Sequence, residues 1–144
     1  MNSERFMMPV AVHLFLLQDN KIVLLRRFNT GYEDGKYSVI AGHLDGNEDL
    51  KSAMAREALE EAGIIIELKD LEIIGVFHRK TATERVDFFL MADKWKGKIT
   101  NMEKHMCDDL SWHNLDSLPD NMIPYVRKAI ENYRYGINFD MYGW

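Results

Sequence analysis

The sequence predicts an α/β (α+β) protein built as one domain over residues 1–144. Three observations predict it. Apolar runs of strand length fill residues 9–27 and return over 71–91. Two stretches of helix-forming composition stand between and after them, at 50–62 and within 116–135. A length of 144 residues suits a single core.

The first run, PVAVHLFLL at 9–17, reads as a strand. Gln18, Asp19 and Asn20 make a polar turn, and KIVLLRR at 21–27 is the returning strand of a hairpin. His13 reads as a packed strand residue rather than a ligand, because partial burial is ordinary for histidine. Arg26 and Arg27 end the second strand. Side-chain alternation lets one of them face inward. There a guanidinium could hold a phosphate with two bonds, while on an open edge it would serve solubility. The loop NTGYEDGK at 29–36 either closes over a ligand or joins two strands, and its Tyr32 either stacks on a base or stands exposed. Residues 37–40 are a short strand.

Residues 50–62, LKSAMAREALEEA, contain no Pro and no Gly, and Gly63 follows as a helix stop. Residues three and four apart share a helix face. Glu57, Glu60 and Glu61 therefore project together, and Ala55, Ala58, Leu59 and Ala62 are expected to pack on the core. Carboxylates gathered on one face repel one another, and a divalent cation reverses that sign. Mg²⁺ takes carboxylate oxygens and shares its shell with phosphates. The plain alternative is a solvated acidic face.

Beyond the helix, 64–68 reads as a strand-like exit, 71–78 as an apolar strand and 85–91 as another. Arg85 and Asp87 share one face of that last strand, toward solvent or toward a cleft. Residues 95–101 are turn-rich, with Glu103 shortly after. Asp108 and Asp109 form an acidic turn before a short strand at 110–112. The final helix, within MIPYVRKAIENYRY, is amphipathic through Ile123, Val126 and Ile130. Asp120 or Asn121 is its natural N-cap, and Pro124 belongs in its first turn. The aromatic tail GINFDMYGW could pack on the core, line a pocket or meet a second subunit in a homodimer.

The spacing over 42–64 is more specific than any of these. Gly42 is followed by five residues, Glu48, seven residues, Arg56-Glu57, Ala58, one residue, Glu60-Glu61, one residue, Gly63 and Ile64. Ordinary residue frequencies produce that pattern by chance about once in 10⁹ starting positions. It resembles the box of the Nudix hydrolase family. The resemblance implies an α/β/α sandwich with a mixed β-sheet between helices. It also implies Mg²⁺- or Mn²⁺-dependent hydrolysis of a nucleoside diphosphate linked to another group. By the same resemblance, Glu57, Glu60 and Glu61 bind metal together with the Ala41 carbonyl, and Glu103 matches a further metal-binding glutamate outside the box. Arg56 orients the glutamates, pairing with Glu60 four residues on. An arginine at the place of Arg26 or Arg27 faces the cleft. Asn121 matches an asparagine that reads an oxidised guanine in MutT-type members. Where the family commonly has Pro-Gly-Gly and Pro-Gly, this chain has Ile40-Ala41-Gly42 and Gly46-Asn47. A carbonyl ligand does not depend on its side chain, and Asn tolerates a left-handed backbone.

Composition narrows the rest. A net charge of −5 gives no attraction to a nucleic-acid polymer. The single cysteine, Cys107, excludes an internal disulfide or a thiol metal cluster and suits a cytoplasmic location. The opening MNSERFMMP does not read as a signal peptide, and no apolar run is long enough to span a membrane. The region at 79–82 lacks the proline that marks ADP-ribose hydrolases of the family. By the same resemblance, the small size and the Leu118-Pro119-Asp120-Asn121 approach to the final helix make the expected substrate a nucleoside triphosphate, oxidised guanine nucleotides included, cut to monophosphate and pyrophosphate. The alternatives are a sugar-nucleotide or ADP-ribose hydrolase and a regulator that binds nucleotides without cutting them. A Nudix-fold isomerase ranks lowest, because Cys107 follows no matching motif.

Overall fold

The computed structural model describes residues 4–144. Its elements run β1 (Val10–Gln18), β2 (Lys21–Arg27), β3 (Tyr37–Ser38), β4 (Ile40–His43), α1 (Leu50–Ala62), β5 (Glu72–Lys80), β6 (Glu84–Ala92), β7 (Cys107–Asn114), α2 (Pro124–Arg134) and β8 (Phe139–Tyr142). The predicted hairpin forms: β1 turns into β2 through Asp19 and Asn20, both with positive φ, at 51° and 61°. That is the turn hand that fits strand twist, supplied here by the two non-glycine residues that best tolerate it.

The sheet is mixed, with the path β3-β2-β1-β6-β5-β8 and with β4 on β1 and β7 on β2. β1–β6 and β5–β8 are parallel, and the other pairs are antiparallel. One edge of β1 is shared. Its end pairs with β2 through Leu17↔Ile22, while its start pairs with β4 from Ala11↔His43 to Leu14↔Ile40. β2 and β4 thus leave β1 in different directions, and a gap opens between them.

Alternation along β1 builds two cores. Val12, Leu14 and Leu16 pack with Ala53, Met54, Ala58 and Ala62 of α1. Phe15 packs with Phe77, Phe89 and with Val126 and Ile130 of α2. Each large side chain buried this way contributes about 1.5–3 kcal/mol relative to exposure. Two helices on opposite faces of one mixed sheet are the expected sandwich.

Several expectations are corrected. Leu59 is 51% exposed, while Ala53 and Met54 are fully buried. The core-facing stripe of α1 is rotated toward 53, 54, 58 and 62, because β4 meets the helix along the Glu57 side. Residues 64–68 make no strand; Ile65 forms one isolated bridge to Lys96, and a 3-10 turn follows at 68–70. Asp108 and Asp109 lie within β7 rather than in a turn, drawn in by pairing with β2. The cap of α2 is Ile123, with no side-chain cap bond. Asn121 instead accepts the Tyr37 N–H at its carbonyl, and Met122 bridges to Tyr37, so the approach to the helix is held at the sheet edge. The tail forms β8 beside β5, and the Trp144 indole donates to the His78 carbonyl at 3.0 Å. Among the described residues no helix is long and apolar enough to cross a membrane.

Candidate active site

The box folds as loop, helix and stop. Gly46 and Asn47 take positive φ of 92° and 59°, which reverses the chain before α1. Asp49 caps the helix, accepting the Ser52 N–H at 2.9 Å. Gly63 ends it at φ 67°, with its N–H on the Leu59 carbonyl. Arg56 then ties the acids together. It donates to Glu48 at 2.6 Å and to Glu57 at 2.8 Å, with Asp45 and Glu60 each at 3.5 Å. The expected pair with Glu60 is thus one of the longer contacts. The guanidinium holds the Glu48 carboxyl below its ordinary range.

Glu57 is 9% exposed and lies across Gly42, where an added Cβ would stand 2.2 Å from its carboxyl carbon. Glu61 sits beside it. Burial, then the hydrogen bond and charge of Glu57, push the Glu61 carboxyl up to about 10. The Ala41 N–H donates to Glu61 at 3.4 Å. Leu44 N–H bonds back to Val10, so ladder alternation turns the Ala41 amide and carbonyl away from β1, toward α1. Glu103 also approaches this group: burial raises its carboxyl, and the charges of Glu57 and Glu60 add to that. Glu60 is half-exposed.

Ala41, Gly42, Glu61 and Glu103 form one end of a cavity of about 580 Å³. The cavity lies where β2 and β4 part from β1. Arg27 lines it, with its guanidinium on the Thr30 hydroxyl at 3.0 Å and the Tyr32 carbonyl at 2.7 Å. Arg26 points the other way, to Asp108 at 2.7 Å. Alternation has therefore chosen Arg27 for the cleft. The far wall carries residues that the sequence reading did not single out as a site. Arg79 clasps the fully buried Asp87 at 2.6 and 3.2 Å and lies 3.6 Å over the Tyr125 ring. His13 contacts the same carboxylate at 3.2 Å, yet burial lowers its pKa to about 4 and keeps it neutral. The available signal was Asp87 inside the apolar run RVDFFLM, since a buried carboxylate requires a partner. Asn121 is not among the lining residues; its amide donates to the Gly35 carbonyl at 2.8 Å.

A model of the NUDIX domain matches residues 7–133. The chain belongs to the NUDIX family. Among curated relatives, an 8-oxo-dGTP diphosphatase of Buchnera aphidicola is 26% identical over 80% of this chain and 90% of its own length. An NAD-capped RNA hydrolase of Shigella dysenteriae is 29% identical over 90% of this chain, which spans about half (49%) of that relative. Among solved structures, a MutT NUDIX hydrolase from Burkholderia pseudomallei matches with a TM-score of 0.80 at 26% identity, covering 88% of this chain and 98% of the other.

Nudix hydrolases generally use divalent cations, and the donor set here fits one. Among the described residues no three acidic, imidazole or thiol side chains already converge at metal spacing. Glu57 is turned to Arg56. But Glu61 is pushed toward its protonated form, first by burial and then by the Glu57 carboxyl beside it, and a bound cation would favour the charged form instead.

Proposed function

We propose that this Nudix chain hydrolyses a nucleoside triphosphate to the monophosphate and pyrophosphate with Mg²⁺, with Mn²⁺ as a substitute. One observation carries the reading: a single cavity joins a carboxylate end, Glu61 and Glu103, to a cationic and aromatic end, Arg27, Arg79, Tyr32 and Tyr125. Glu57, Glu60, Glu61, Glu103 and the Ala41 carbonyl would hold the metal. Bound metal neutralises phosphate charge and lowers the pKa of the attacking water. Water forms a bond to phosphorus as the bridging P–O bond breaks. The leaving oxygen takes the electron pair, and the water proton passes to a carboxylate oxygen of Glu57 or Glu103. Arg56 orients Glu57 without meeting the substrate. Arg27 offers the phosphate chain a charge-assisted donor. The apolar stems and rings of the far end exclude water from the nucleoside.

Another nucleoside-diphosphate derivative is the second reading. It is supported by an ADP-ribose pyrophosphatase of Methanocaldococcus jannaschii, 35% identical over 47% of this chain and 38% of its own length. The test is a panel of triphosphates, 8-oxo triphosphates, ADP-ribose, sugar nucleotides and dinucleoside polyphosphates with Mg²⁺ and with Mn²⁺. Pyrophosphate and phosphate are followed separately. Pyrophosphate released fastest from a triphosphate is the expected result. ADP-ribose turned over faster than every triphosphate would overturn it. A folded sample silent with both metals would point to a nucleotide-binding regulator.

A further inference from the structure

Arg85 is the one arginine lining the cavity that the protein leaves without a partner among the described residues. Its Nε is buried with no hydrogen bond, and its guanidinium makes no ion pair. Arg27 is engaged by Thr30 and Tyr32, and Arg79 by both oxygens of Asp87. Asp87 shares a face with Arg85 but is already occupied by Arg79 and His13. The buried Nε is a donor with nothing to donate to, which is costly, while the rest of the guanidinium is open to the cavity, so its placement calls for an acceptor from outside the chain.

The sheet register sets where that acceptor lies. Ala41 stands opposite His13, His13 opposite Phe89, and Arg85 lies four residues before Phe89 on β6. Two strand spacings and four residues put about 16 Å between the Ala41 and Arg85 backbones. A triphosphate seated among the glutamates places its phosphates between that end and Arg27. Only the sugar and base extend toward Arg85. Tyr32, half-exposed on the 29–36 loop, and Tyr125 flank the same end with aromatic rings.

We infer that Arg85 reads the substrate base, giving its guanidinium fork to O6 and N7 of a 6-oxopurine such as guanine. This rests on the triphosphate reading above and names the base class it leaves open. Guanine presents O6 and N7 as two acceptors on one edge, at a spacing that suits a guanidinium. Adenine puts an amino donor in place of O6, and pyrimidines lack the pair. In 8-oxoguanine N7 carries a hydrogen, so one arm of the fork loses its acceptor. Unmodified guanine is thus the better fit to Arg85, and Asn121, held by Gly35, takes no part in the choice.

The experiment compares dGTP with 7-deaza-dGTP, which keeps shape and O6 but replaces N7 by C–H. It uses wild type, Arg85→Met and Arg85→Lys, reading kcat/KM and, separately, calorimetric binding of dGMP and 7-deaza-dGMP. Among the described residues the Arg85 side chain makes no hydrogen bond or ion pair, so neither variant removes a polar contact of the fold. In wild type the guanine form is preferred about tenfold or more. That ratio falls to about one in both variants, since lysine keeps the charge but not the fork. A ratio near one in wild type, or an unchanged ratio in the variants, overturns the inference. So does 8-oxo-dGTP cut faster than dGTP by wild type but not by Arg85→Met. If no triphosphate is hydrolysed, the triphosphate reading fails on its own, and the dGMP binding ratio still decides Arg85.

Discussion

Gly42 is a glycine because Glu57 fills the place of its side chain. An added Cβ would lie 2.2 Å from both the carboxyl carbon and Oε1 of Glu57. Its backbone is ordinary, so the requirement is closeness and not a left-handed conformation. Gly42→Ala is expected to lower the thermal midpoint, because the clash reaches Cγ of Glu57 at 2.7 Å and the carboxyl that must move is buried and held by Arg56. It should lower kcat by about 10²-fold, because a catalytic group displaced by about an ångström loses its alignment. Steady-state kinetics beside a melting curve checks this, and full turnover in the Gly42→Ala variant would separate Glu57 from the chemistry. At this scale the seven fixed box residues were legible from spacing. Arg79 and Tyr125 were not, because each sits in a stretch whose local pattern fits any half-buried strand or helix, and for Arg85 alternation left solvent and cleft equally open.

Among the elements, α1 was the most legible, since its composition, cap and stop all agree. Asp49 satisfies the Ser52 N–H at 2.9 Å and also meets the Ser52 hydroxyl at 3.0 Å. Asp49→Ala should cost about 1 kcal/mol and lower the midpoint by about 2–4 °C. Turnover per folded molecule should stay at its wild-type level, measured below the transition. A large loss of turnover would mean that Asp49 also serves the site. β8 and the start of α2 were less legible. Phe139–Tyr142 shows no strand signal beyond aromatic content, and its pairing partner lies more than sixty residues earlier, in β5. The α2 cap moved to Ile123 because Asn121 and Met122 bond across the chain to Gly35 and Tyr37. No local rule contains such a contact.

Across the described molecule, the buried ionisable groups His13, Glu57, Arg79 and Asp87 gather at or beside the cavity. His13 is a strand residue as expected, yet it also lines the cavity wall. Its pKa falls from 6.5 to about 4, mainly through burial, which the Asp87 charge opposes only in part. Between those values the unfolded chain takes up a proton that the folded chain refuses. His13 therefore costs nothing above pH 6.5 and destabilises the fold progressively as pH falls toward 4, by about 3 kcal/mol at most. Denaturant unfolding of wild type and His13→Gln over that range measures it. The stability difference should shift in favour of the variant as pH falls and level off near pH 4. A difference independent of pH would mean that His13 takes up its proton equally in the folded and unfolded states.

The box, the hairpin, the helix that the box carries and the family all follow from the amino-acid order alone, because each rests on residues close together in the chain whose spacing or composition has one physical reading. Long-range pairing set the rest. Whether Arg26 or Arg27 enters the cavity depends on which face of β2 the parting of β2 and β4 leaves open. The Arg79–Asp87 pair and the unpaired Arg85 depend on the register between β5 and β6, and on which acceptors those strands have already used. These choices are made by pairings between distant segments, and side-chain chemistry read along the chain does not encode which partner arrives first.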